Sequence, residues 1–211
     1  MINQGTAIQS YASYLNMPLI PYNILSALVT NESTEAEKIW KILKYPDAKA
    51  FEKPNLTYTE KMELVWNPTE QLNTMPQDGY RLFLKPLVPA SLNTDSSQTQ
   101  LRISTLDIKS RNQREAVISC CLSITTNETS CMVYDDYFRL LERTDVMVSL
   151  LLEVLNGIDL GVGSGRLSFT NIPDGKSYVL SNINNGKSTY GKSLILLLKY
   201  YDDSKKGGAC F

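Results

Sequence analysis

Residues 186–193 carry the most specific chemical motif of the chain, GKSTYGKS, a literal match to the phosphate-loop pattern G-x-x-x-x-G-K-S. In that motif, backbone amides surround the phosphates of a nucleotide, while Lys192 would contact them and Ser193 would bind magnesium. The motif works only between a parallel strand and a long helix within a series of βαβ units. The residues after Ser193 are typical of a strand instead. We therefore expect a glycine-rich hairpin loop here, and nucleotide binding is the least favoured function.

Two other groups of residues invite a chemical interpretation. Gly161, Gly163 and Gly165 have the spacing G-x-G-x-G after a predicted helix, which favours a flexible helix-to-strand connection over a dinucleotide site. Acid–base or metal chemistry is conceivable for four acidic residues: Asp135, Asp136, Glu142 and Asp145. Helix capping and a solvated helix face explain these four more simply.

The chain has no histidine, so the commonest general base and the commonest nitrogen ligand of metals are both missing. Its four cysteines form no C-x-x-C pair, and we expect buried free thiols in a reducing compartment: Cys120, Cys121, Cys131 and Cys210. Cys120 and Cys121 should point to opposite faces of one strand. The sequence thus predicts no catalytic, cofactor-binding or metal-ligating residue and no enzymatic activity.

The composition is that of an ordinary globular protein, with 211 residues of which 43% are hydrophobic. A formal net charge of −1 and a pI near 5.6 argue against a dedicated nucleic-acid binder, which would have a basic face. The first residues, MINQGTAIQS, lack the pattern of a secretory signal, and the apolar runs are too short to span a membrane. We therefore expect a soluble protein made in a cytoplasm.

The chain divides into a helical N-terminal arm (residues 1–70), an α+β core (80–203) and a flexible tail (204–211). Four helices are predicted in the arm: Thr6–Leu15, Tyr22–Val29, one from a cap at Asn31, Ser33 or Thr34 to about Lys44, and one from Thr57 through about Trp66. The pairs Thr34–Glu37 and Thr57–Glu60 have the spacing of a capping box, in which two side chains satisfy the first amides of a helix.

The predicted fold class is α+β, with a mostly antiparallel sheet and one long helix packed on it in a β-β-α-β-β core. The first predicted strand is Tyr80–Val88, an edge strand or a strand end because of Pro86. Leu101–Ile108, with a bulge where its alternation changes phase, and Val117–Thr125 follow. Arg166–Asn171 and Ser177–Ile183 are predicted to form a hairpin around Pro173-Asp174-Gly175, and Lys192–Tyr201 is predicted to be a central strand.

Asp135 or Asp136 is predicted to cap the long helix, and Gly157 to end it at the C′ position. Apolar residues at three- and four-residue steps predict its buried face: Phe138, Leu141, Val148, Leu151, Leu152 and Leu155. Three polar stretches predict mobile loops: Leu92–Gln100, Ser110–Arg114 and Ser181–Gly191.

Two stretches resemble the neck proteins of tailed bacteriophages. Residues 39–66 resemble a module of these proteins through the following landmarks: Trp40, Leu43, Tyr45, Ala50, Lys53-Pro54, Leu56-Thr57 and Glu60-Lys61. The second stretch, LRISTLDIKS through CCLSITT and YFRLLERTDVMVSLLLEVLNG to GRLSFTN, resembles the core of tail-terminator and head–tail connector proteins. In that family the core helix has an arginine near its start and Leu-Asn near its end, here Arg139 or Arg143, and Leu155-Asn156.

The resemblance implies a structural virion protein. Such a protein would form a homo-oligomeric ring between the portal or adaptor and the tail, and double-stranded DNA would pass through its lumen without specific binding. It would be assembled in the cytoplasm of a bacterial host. The alternative is a cytosolic protein-binding module without enzymatic activity. A small nucleotide-binding protein, based on residues 186–193 alone, comes third.

Overall fold

The computed structural model describes residues 17–66, 79–84, 98–110, 115–161, 166–169, 179–181 and 189–201. The helices among them are α1 (Ile20–Thr30), α2 (Thr34–Lys44), α3 (Tyr58–Glu63) and α4 (Arg143–Leu155). The strands are β1 (Val65–Trp66), β2 (Leu82–Phe83), β3 (Gln100–Ser110), β4 (Glu115–Asn127), β5 (Met132–Tyr134), β6 (Leu140–Glu142), β7 (Leu167–Ser168), β8 (Val179–Ser181) and β9 (Thr189–Tyr201).

Seven strands form one sheet in the order β1-β2-β3-β4-β9, with β7 and β8 both paired to the outer edge of β9. The pairs β1–β2 and β2–β3 are parallel, and the others are antiparallel. Strands β4 and β9 pair from Glu115–Tyr201 to Asn127–Thr189 and form the centre of the sheet. The fold class is therefore α+β with a mostly antiparallel sheet, as predicted.

One face of this sheet carries the hydrophobic core. Alternate residues of β4, among them Ile118 and Leu122, point to this face, where they join a single cluster with α1, α2 and α4. Trp40 of α2 is fully buried in that cluster, and its indole N–H donates a hydrogen bond to the carbonyl oxygen of Leu28 (3.1 Å). α1 and α2 thus share one core with the sheet.

The long helix begins later than predicted. A two-stranded hairpin, β5–β6, stands between β4 and α4, and α4 starts at Arg143 rather than at a cap of Asp135 or Asp136. The reason is local: the Asp135 carboxylate accepts hydrogen bonds from backbone amides of the turn that joins β5 to β6, which competes with helix formation. The predicted inward position of Phe138 is therefore wrong, since Phe138 lies exposed in this turn.

The end of the helix is as predicted. Asn156 is the C-cap, and Gly157 follows at C′ with a φ of +85°, a left-handed conformation that glycine adopts without strain. Val148 and Leu155 are buried in the core, whereas Leu141 is a half-buried residue of β6. Leu152 is half-buried and packs at the margin of the core.

The predicted hairpin of residues 166–183 is wrong in its pairing. β7 and β8 each pair antiparallel with β9, at Leu197–Leu198 and at Lys192–Leu194 respectively. They therefore run in the same direction, one after the other, along one edge of β9. The predicted bulge in β3 is confirmed, because the pairing with β4 shifts its register between Thr105 and Asp107. The last strand is central as predicted and begins three residues earlier, at Thr189.

The N-terminal helices differ from the prediction at their ends. α1 begins at Ile20, with Pro21 in its first turn, where the missing amide hydrogen costs nothing. Ser33, not Thr34, caps α2 by accepting a hydrogen bond from the amide of Ala36. The capping box of Thr57 and Glu60 is confirmed, but α3 ends at Glu63 because the next residues pair with β2 as strand β1.

Cys120 and Cys121 are buried free thiols, as predicted. Cys120 lies in the core, and burial, with a contribution from Cys121, raises the pKa of the Cys120 thiol to about 12. The Cys121 sulfur lies 3.4 Å from the Ser123 hydroxyl, outside the core cluster, in keeping with the alternation of a strand. Cys131 is a half-buried free thiol, and Cys210 lies outside the described residues.

Several predicted features lie wholly or partly outside the described residues. These are the helix Thr6–Leu15, the strand beyond Leu84 with Pro86, the turn at Pro173-Asp174-Gly175, Gly163 and Gly165, the tail 204–211, and most of the three loops predicted to be mobile. Of residues 80–88, only Leu82–Phe83 is a described strand, and it lies between two parallel neighbours rather than at an edge.

The core packing of α4 can be tested at two adjacent leucines. We expect Leu151→Ala to lower the free energy of unfolding by about 2–5 kcal/mol, because the Leu151 side chain is fully buried and its removal leaves a cavity. Leu152→Ala is the matched control and should cost less, since Leu152 is half-buried. Urea unfolding followed by circular dichroism measures both. Equal losses would show that the phase of the helix on the sheet is different.

Candidate functional site: a buried arginine and an aromatic hairpin tip

Arg143, the first residue of α4, is fully buried and supports the best-defined polar site of the described structure. Its guanidinium donates only to backbone carbonyl groups, most of them at the end of α2 and in the turn that follows. Nη1 donates to the carbonyl oxygens of Ile42 (3.1 Å) and Tyr45 (2.7 Å), and Nη2 to those of Pro46 (2.9 Å), Asp47 (2.7 Å) and Met132 (3.3 Å).

These acceptors suit a cation. Ile42 is in the last turn of α2, where the carbonyls have no partner within the helix and carry the negative end of its dipole, and the other acceptors are carbonyls of the turn and of β5. Burial lowers the pKa of Arg143 to about 10, against the opposing influence of the Asp47 charge, and the side chain therefore remains protonated at neutral pH. Arg143 is thus a permanent buried cation neutralised by carbonyl dipoles.

The same residue fixes the hairpin β5–β6. The Arg143 amide donates to the carbonyl oxygen of Cys131 (2.7 Å), just before β5, and the Tyr134 amide at the end of β5 donates to the carbonyl of Ala48 (2.8 Å). One end of β5 is thereby held by Arg143 at the start of α4, and the other by the turn after α2. The turn of the hairpin projects from this rigid base.

We call residues 135–139, Asp-Asp-Tyr-Phe-Arg, the aromatic tip. Asp135 organises it: Oδ1 accepts from the amides of Tyr137 (3.0 Å) and Arg139 (2.8 Å), and Oδ2 accepts from Nε of Arg139 (2.7 Å). Although desolvation opposes ionisation of Asp135, the hydrogen bonds from Arg139 and Tyr137 lower its pKa overall. The Arg139 guanidinium also lies 5.2 Å from the centre of the Tyr137 ring.

This ordered turn exposes its two aromatic rings. Tyr137 is 79% exposed and Phe138 is 78% exposed, although both are large apolar side chains. Phe138 also has a φ of +58°, which strains a bulky residue. Exposed aromatic side chains on an ordered turn are a common feature of protein-binding surfaces, because their burial by a partner contributes much of the binding energy.

Two small clefts flank the aromatic tip and share Phe51 and Asp136. One, of about 140 Å³, lies between the tip and Lys49. The other, of about 240 Å³, lies along α2, where Lys38 bonds to Asp136 (2.5 Å) and stands 5.4 Å above the Phe51 ring. Both are smaller than the roughly 300–1,000 Å³ of typical small-molecule sites.

The phosphate-loop match does not form a phosphate-binding loop at its described end. Gly191, Lys192 and Ser193 are residues of β9, while residues 186–188 lie outside the described part. Gly191 is required by packing, because a Cβ there would lie 2.3 Å from the carbonyl oxygen of Ile124. The Ser193 hydroxyl pairs with that of Ser123 (3.0 Å).

Lys192 binds carboxylates rather than a free anion. Its ammonium group bonds to Asp145 in the first turn of α4 and lies 3.4 Å from Glu142. Partial burial opposes its charge, but the bond to Asp145 and the charge of Glu142 raise the pKa of Lys192. The four acidic candidates are therefore divided: two meet Lys192, and Asp135 and Asp136 lie in the aromatic tip. Among the described residues, no three His, Cys, Asp or Glu side chains converge on a possible metal site.

The hairpin is what sequence reasoning missed. Two signals in the sequence could have predicted it. Two short apolar segments, Met132–Tyr134 and Leu140–Glu142, have the length of paired strands. Asp135-Asp136 lies between them, and aspartate favours turns because its side chain bonds readily to the backbone. Of the two arginines that the resemblance allows at the helix start, Arg143 occupies that position and Arg139 lies in the tip.

Comparison with known proteins finds no matching family model, no matching curated protein and no matching solved structure. Within the described part of the chain, no helix combines the length and the apolar character needed to cross a membrane.

We predict that Arg143→Met will destabilise the protein by about 3–5 kcal/mol, because buried carbonyl groups lose a charged hydrogen-bond donor. Arg139→Met is the matched control and should have a smaller effect on the fold, since Arg139 is exposed. Arg143→Lys should fall between them, because an ammonium group cannot span all five carbonyls. Chemical unfolding measures the three variants, and an Arg143→Met variant as stable as the parent would contradict the assigned role.

A second prediction concerns Lys192. Because Lys192 is held by Asp145 and Glu142 on a strand, we expect neither the parent nor Lys192→Ala to bind magnesium-ATP in isothermal titration. The variant should fold, with a modest loss of stability from the missing ion pairs. Binding by the parent that disappears in Lys192→Ala would instead support the nucleotide-binding alternative.

Proposed function

We propose that the protein is a structural component of the head–tail neck of a tailed bacteriophage, a connector or tail terminator. It forms an oligomeric ring that joins the portal or adaptor to the tail and lets double-stranded DNA pass. The aromatic tip supports an assembly role, because an ordered turn there exposes two aromatic rings, and the resemblance of residues 39–66 and of the core to neck proteins selects a ring among such roles. An interface of this kind suits an assembly protein.

Two landmarks of the resemblance support the proposal through their positions. Arg143 begins α4 and Asn156 caps its end, and the helix between them packs on an antiparallel sheet. The Asn156 side chain accepts a hydrogen bond from the Phe169 amide (2.9 Å), which connects the end of α4 to the chain just after β7. In this way the landmark residues fix both ends of the helix.

The charge of the chain fits passage of DNA without capture. Affinity for DNA depends on basic groups that release counterions from the phosphates, and the net charge here is −1. The ring would therefore offer DNA a lumen without a strong binding surface. Assembly would take place in the cytoplasm of a bacterial host, and the finished protein would reside in the virion.

The alternative is a cytosolic protein-binding module without enzymatic activity, which the aromatic tip favours equally. The two functions differ in self-association. We expect native mass spectrometry and negative-stain electron microscopy of the purified protein, over a range of concentrations, to show closed rings of one defined copy number. A protein that stays monomeric at all concentrations would contradict the ring and favour the binding module.

A further inference from the structure

We draw no further inference here: the strongest candidate, the surface that the aromatic tip forms with the two clefts beside it, exposes Tyr137 and Phe138, but nothing in the described part of the chain shows what covers it.

Discussion

The fold of this protein around its candidate site depends on one buried cation. Arg143 sits where the end of α2, the start of β5 and the start of α4 meet, and its guanidinium donates to carbonyl groups from the first two of these elements. Lysine could not do this, because the two terminal nitrogens of the planar guanidinium, which make all of these bonds, present four N–H groups in a fixed arrangement. Since the carbonyls belong to segments far apart in sequence, their geometry holds only when the whole core is assembled.

Other ionic contacts position elements that the apolar core alone would leave free to slide. The buried pair of Glu37 and Lys61 attaches α3 to α2, and Lys192 attaches the start of α4 to β9. Burying charges is costly, so such pairs contribute less to stability than their distances suggest, and we expect their main effect on the precision of the packing. The stability itself comes from the apolar cluster that the helices and the sheet share.

The aromatic tip follows from these restraints. A flexible loop with two exposed aromatic side chains would lose conformational entropy on binding, and it would be free to collapse onto its own surface. Here Asp135 bonds to the backbone and side chain of Arg139, and the strand before the tip is held by the α2 turn. The backbone of the turn is thereby ordered, and the rings of Tyr137 and Phe138 are exposed on it. Such a tip can contribute to specific association although it is small.

The sequence by itself determined the features that depend on local patterns. Alternation and periodicity located β3, β4, β9 and most of α4, and the chemistry of individual residues predicted the Thr57–Glu60 capping box and the end of α4 at Gly157. The bulge in β3 could also be predicted, because the alternation of apolar residues changes phase there and an extra residue in the strand accounts for such a change. Hydrogen bonds or backbone geometry within a few residues decide all of these features.

Only the tertiary structure decided which elements meet. The bonds that Asp135 makes within its turn are local, but the guanidinium of Arg143, the first residue of the helix, bonds to carbonyls almost 100 residues away, and no local pattern reveals those partners. The same holds for β7 and β8, whose pairing with β9 rather than with each other is a matter of long-range register. Exposure of the tip was likewise not predictable from sequence, because Phe138 fits an apolar helix face and is exposed only because the helix starts later, at Arg143.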